Sequence, residues 1–149
     1  MATTDENKAV VRDFIEEVTN KGDLAAAPRY VAADFVEHYG PPGLPGGIAG
    51  SVALTKLFQD NFDGYRFDIE ELLAEGDHVL VRGWGTGTHN GPFMGIPPTG
   101  KDIRFRAAHV FEVKDGKITA RWAYPDMLGM LQQLGAVPMP GAGAQAVPK

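Results

Sequence analysis

The chain's 149 residues, 44% of them apolar and 22% charged, suit one domain that buries a core without disulfides or a structural metal, and they exclude disorder and coiled coil. A net charge of −5, with Lys and Arg scattered rather than clustered, argues against nucleic acid and against a membrane surface as partners. The absence of cysteine excludes thiolate nucleophiles, iron–sulfur clusters and Cys-based zinc sites.

The N-terminal MATTDENK is polar and lacks the apolar region of a signal peptide. No stretch approaches the ~20 apolar residues that cross a bilayer, so a cytoplasmic protein is expected. Thr3 and Glu6 stand at capping-box spacing and predict the start of a first helix. Val10, Val11, Phe14, Ile15 and Val18 repeat on one of its faces, and Gly22 stops it. A short helical piece follows Asp23, curtailed by Pro28, and Asp34–His38 reads as a brief strand. After the Gly/Pro loop Gly40–Gly50, Ser51 is the candidate N-cap of a third helix reaching Phe62. Ser51 is the only serine and lies outside a G-x-S-x-G elbow, so serine-hydrolase chemistry is not expected.

The pattern then changes to strands. Tyr65, Phe67 and Ile69 alternate with polar residues, and Glu75-Gly76-Asp77 is a turn. His78–His89 is a strand whose Gly83, Gly85 and Gly87 permit strong curling and close backbone approach. Gly91–Gly100 is a loop carrying Met94. Ile103–Lys114 and Lys117–Tyr124 pair across an Asp115-Gly116 hairpin turn. Pro125 and Asp126 open a last helix that Gly135 ends. Residues 1–137 form the expected single domain, and the Pro/Gly/Ala-rich residues 138–149 a flexible tail. Helices followed by long antiparallel strands predict an α+β fold. The expected form is a conical barrel: a curled antiparallel sheet closed by three N-terminal helices and a short C-terminal helix around one apolar pocket.

Strand alternation assigns side chains to that pocket. On Ile103–Lys114 the inner face reads Ile103, Phe105, Ala107, His109, Phe111 and Val113, with His109 its only polar member. On Lys117–Tyr124 the inner face reads Ile118, Ala120, Trp122 and Tyr124, and the outer face Lys117, Thr119, Arg121 and Ala123. Asp126 continues the even, inward series. An imidazole and a carboxylate in an apolar space would suit general acid–base chemistry. From pattern alone, however, His109 reads as a core histidine, and Asp126, after a proline at a helix start, as an N-cap. Further candidate contacts to an apolar small molecule are Phe14, Phe58 and Phe62 from the helices and Met94 from the loop. The strands add Trp84, His89, Phe105, Phe111, Trp122 and Tyr124. Glu37 and His38 end the first short strand, and either can line the cavity, with His38 the chosen candidate. The four histidines lack metal-ligand spacing, so no metal is expected. Gly83–Gly87 opens no helix and is not a phosphate loop. Arg104, Arg106 and Val110 on the outer faces, near Trp84, suggest pairing as a homodimer or homotetramer.

Three segments carry a family resemblance: GTGTHNGPFMGIPPTG (Gly85–Gly100), HVFEVKDGKI (His109–Ile118) and WAYPDMLGMLQQLG (Trp122–Gly135). Over roughly residues 7–137 the chain resembles the SnoaL-like polyketide cyclases, relatives of ketosteroid isomerase, scytalone dehydratase and nuclear transport factor 2. The resemblance implies a conical α+β barrel, an oligomer, an apolar polycyclic small-molecule substrate and cofactor-free closure of a polyketide ring by intramolecular aldol condensation. It implies Asp126 as the acid/base and His109 as its orienting or donating partner, which shifts the balance for Asp126 toward catalysis. The alternatives are another reaction in the same pocket (isomerase, dehydratase, epoxide hydrolase or hydroxylase) or a non-catalytic ligand-binding module.

Overall fold

A computed structural model describes residues 2–138. Apart from Pro138, the expected tail lies outside the described residues. Helix α1 (Thr4–Phe14) starts at a complete capping box. The Thr3 hydroxyl accepts from the Glu6 amide at 3.1 Å, and the Glu6 carboxylate accepts from the Thr3 amide at 3.0 Å. The helix then widens into a π-helical segment, Ile15–Asn20, of the kind that often marks functional sites. The carbonyls freed at its end are taken by Gln59, whose amide donates to Thr19 O at 2.8 Å and Val18 O at 3.2 Å. A 3₁₀ piece, Leu24–Arg29, contains Pro28, and the first strand, β1 (Val31–Glu37), follows.

Helix α2 (Gly47–Asn61) begins earlier than expected. Its N-cap is Gly46, without a side-chain bond, and Ser51 is a buried residue inside it. Glycine is what allows the early start: Gly47 has φ +67°, and a Cβ there would stand 2.6 Å from the Ala33 carbonyl oxygen. Four strands complete the sheet: β2 (Phe62–Glu75), β3 (His78–His89), β4 (Asp102–Lys114) and β5 (Lys117–Pro125). The last helix is α3 (Met127–Gln133), after which Gly135 adopts φ +81°. The turn between β4 and β5 has Asp115 and Gly116 both at positive φ, as a tight hairpin requires.

The strand order is β1-β5-β4-β3-β2, with β1 parallel to β5 and the remaining pairs antiparallel. The fold is therefore α+β, with a five-stranded, curled sheet that does not close, and helices packed across its concave face. Gly85 sits on that face, and a Cβ there would meet Phe105 Cζ at 2.5 Å. The glycine makes room for the ring, and the sheet bends around it. Val11, Val18, Phe62, Val79, Val81, Val113 and Ile118 are among the most deeply buried side chains. Each such apolar side chain contributes on the order of 1.5–3 kcal/mol of transfer free energy.

The register holds a break that alternation could not show. Val113 pairs with Ile118, but Glu112 pairs with Ala120, so Thr119 is one extra residue on β5. This β-bulge inverts the facing of everything after it. The Thr119 hydroxyl folds back onto the neighbouring strand and donates to the Glu112 carboxylate at 2.7 Å, lowering the Glu112 pKa. Beyond the bulge Arg121 pairs with Phe111, Ala123 with His109 and Pro125 with Ala107. The odd residues of β5 therefore point inward and Trp122 and Tyr124 point outward.

Candidate active site

The concave face, α2 and the π-helical segment enclose a cavity of ≈ 370 Å³, within the range of small-molecule sites. Its apolar walls include Phe14, Phe58, Met94, Phe105 and Phe111. Met94 has φ 50° and is exposed on the loop between β3 and β4. His109 also lines the cavity, its ring edge-on to Phe67 with centroids 5.2 Å apart. Ser51, Thr55 and Thr19 add hydroxyls to the wall.

The polar groups converge at one place. Glu37 ends β1 and pairs across the parallel ladder with Arg121. The Glu37 side chain is 8% exposed and lies 2.6 Å from Arg121 Nη1. Its second oxygen accepts from the Tyr39 amide at 3.1 Å. Arg121 Nη2 lies 3.1 Å from His109 Nδ1. A guanidinium only donates, so Nδ1 is the acceptor and the imidazole proton sits on Nε2. Burial, reinforced by the Arg121 charge, pushes the His109 pKa well below 6.5. His109 is therefore a neutral imidazole whose Nε2–H is free to donate. Tyr65 stands on the same wall, its ring 5.1 Å from Phe58. Burial pushes its phenol up to about 12, opposed by Arg121, so it too is a protonated donor near neutral pH. A neutral imidazole, a phenol and a guanidinium around a largely apolar hollow can stabilise negative charge developing on an oxygen.

Several expected contacts lie elsewhere. Trp122 is turned outward by the Thr119 bulge and stacks on His38 at 4.5 Å and 2°, so neither lines the cavity and Glu37 does. Tyr124 is outward for the same reason and 63% exposed. Trp84 pairs with Arg106 on the convex face, with the Arg104 guanidinium 3.5 Å and that of Arg106 4.7 Å from its ring. His89 and Phe62 are fully buried core residues, rings 5.2 Å apart, rather than cavity walls. The His89 Nδ1 accepts from the Thr99 amide at 3.2 Å and so anchors the loop that carries Phe93 and Met94.

Asp126 is exposed and does not face the cavity. Its Oδ1 accepts from the Gly129 amide at 2.9 Å, the N-cap of α3. The even series expected to carry it inward is outward after the bulge. Its neighbours Pro125 and Met127 do line the cavity, so Asp126 stands at the rim. Sequence reasoning misses Arg121, assigned to the outer face, and Tyr65. Tyr65 is legible as a member of the Tyr65-Phe67-Ile69 alternation. Arg121 carries no mark, because no residue from Ile118 to Tyr124 announces a bulge.

Comparison with known proteins identifies the family and the fold. Residues 9–134 match the family model described as SnoaL-like polyketide cyclase. The chain is 39% identical over 136 residues to the aklanonic acid methyl ester cyclase DauD of Streptomyces sp. strain C5, covering 85% of this chain and 80% of the relative. It is 39% identical over 112 residues to the aklanonic acid methyl ester cyclase DnrD of Streptomyces peucetius, covering 71% and 72%. Among solved structures, TsrD from Streptomyces laurentii superposes with a TM-score of 0.84 at 23% identity, over 92% of this chain and all of that one. At that identity the likeness is one of fold.

Proposed function

The chain belongs to the SnoaL-like polyketide cyclases, and from that membership we propose that it closes a ring of an aromatic polyketide methyl ester by intramolecular aldol addition. A carbon flanked by carbonyls gives up a proton, and the resulting enolate carbon bonds to a ketone carbon of the same molecule. The ketone oxygen becomes an alkoxide and takes a proton back. Atoms and electrons balance within one substrate, so the product is an isomer of the reactant. The observation that carries this reading is His109 on the wall of the cavity, its Nδ1 taken by Arg121 so that the proton stands on Nε2. Such a donor at the developing alkoxide contributes about 10²–10³ in rate, and Tyr65 offers a second.

The proton carrier in this proposal is Asp126, as the family resemblance implies. To act, it would release the Gly129 amide and reach a substrate from the rim. Incubation with aklanonic acid methyl ester tests the whole reading: a ring-closed product of unchanged mass supports it. Loss of water, gain of an oxygen or no turnover overturns it in favour of a dehydratase, a hydroxylase or a binding module. His109→Gln is expected to lower kcat about 10²-fold or more. Asp126→Asn keeps an oxygen for the cap but removes the acid, so unchanged turnover would reduce Asp126 to a helix cap.

The expected homodimer or homotetramer and the cytoplasmic location belong to the same proposal. The convex face carries the Trp84 stack, and Tyr124 and Leu73 are exposed on it as well, which supports self-association. Among the described residues no helix is long and apolar enough to cross a membrane.

A further inference from the structure

Building on the polyketide-ester reading above, we propose that Glu37 sets the charge selectivity of the cavity, admitting the neutral methyl ester and excluding the free carboxylic acid. An arginine in an apolar pocket is ordinarily an anchor for a ligand carboxylate. Here that role is already taken. The charged residues lining the cavity are Glu37 and Arg121, and they neutralise each other at 2.6 Å. Both terminal nitrogens of Arg121 are engaged, Nη1 by Glu37 and Nη2 by His109. Both oxygens of Glu37 are engaged too, by Arg121 and by the Tyr39 amide.

An incoming carboxylate would therefore bring a second negative charge beside Glu37, with no free cation among the described lining residues to receive it. Burying an unpaired charge in a low-dielectric space is costly. An ester presents the same carbonyl oxygen without the charge and leaves the ion pair intact. Rejection of this kind works by a repulsive element aimed at the wrong ligand rather than by a new contact to the right one. The two curated relatives described above are both named for a methyl ester, which agrees in direction.

The test uses the full chain and a matched pair of probes, a hydroxyanthraquinone carboxylic acid and its methyl ester, with affinities measured calorimetrically near neutral pH. The native protein is expected to prefer the ester by on the order of 10²-fold, since like-charge juxtaposition across a contact is strongly penalised. Glu37→Gln keeps the shape and leaves Arg121 as an unpaired cation. The acid should then gain about tenfold or more relative to the ester. Glu37→Gln combined with Arg121→Gln removes the cation and should abolish that gain. Should Glu37→Gln not fold, Arg121→Gln supplies the opposite change, weakening the acid further against the ester. Equal native affinity for acid and ester, or an unmoved ratio in the folded variants, overturns the inference while ester turnover leaves the cyclase reading standing. Failure of both probes to bind the native protein overturns both.

Discussion

His109 is held neutral by two causes of the same sign, burial first and the Arg121 charge second. Replacing Arg121 by Gln removes only the second, so the imidazole pKa should rise yet stay below 6.5, as an NMR titration of the ring would record. Stability follows from the same shift. As pH falls below about 6.5 the unfolded chain takes up a proton that the folded chain refuses. The folded-state advantage is thus present above that pH and is lost as pH drops toward the folded-state value. Thermal melts between about pH 5 and pH 7 should show this slope, and it should flatten in His109→Gln. Asp126 separates two roles by two substitutions. Asp126→Ala loses the cap to Gly129 and should cost about 1 kcal/mol, whereas Asp126→Asn should cost only a few tenths. Chemical denaturation of the two variants measures the difference, independently of turnover.

Two strands do the shaping. On β3, Gly85 leaves the space that Phe105 fills from β4, where an added Cβ would stand only 2.5 Å from the ring. Gly85→Ala should destabilise by about 1–3 kcal/mol through overpacking. Adding Phe105→Leu should return part of that loss, since neighbours in contact couple; denaturant midpoints of the two singles and the double decide it. On β5, one extra residue at Thr119 exchanges the faces of the strand end. That single insertion brings Arg121 beside His109 and Glu37, and sends Trp122, Tyr124 and Asp126 out. Sequence reasoning places the strand correctly, inverts all of it beyond Thr119, and loses two aromatic contacts and a cavity-facing acid for one reason. Alternation carries the period of a strand but not the positions where the period slips.

At the scale of the molecule, the sheet is concave toward the helices and convex toward solvent, and the two faces have different chemistry. The inner face is apolar around one polar cluster. The outer face carries the Arg104–Trp84–Arg106 stack, with Tyr124 and Leu73 exposed. If that face is the homodimer contact, Tyr124→Glu should shift sedimentation toward monomer at micromolar concentration and leave the thermal melt of the monomer nearly unchanged.

Local chemistry is what the amino-acid order determined by itself. The capping box at Thr3 and Glu6, the turns at Gly76 and Gly116, the approximate places of five strands and four helical pieces, and the inward His109 all follow from interactions within a few residues. Segment resemblance added the family. The partners of His109 were decided only in three dimensions. Glu37 and Arg121 lie far apart in the chain and meet because β1 pairs in parallel with β5, and because a bulge turns Arg121 toward it. Neither strand pairing across such a distance nor a slip in register leaves a periodic trace, since both depend on how the whole sheet curls to cover its core.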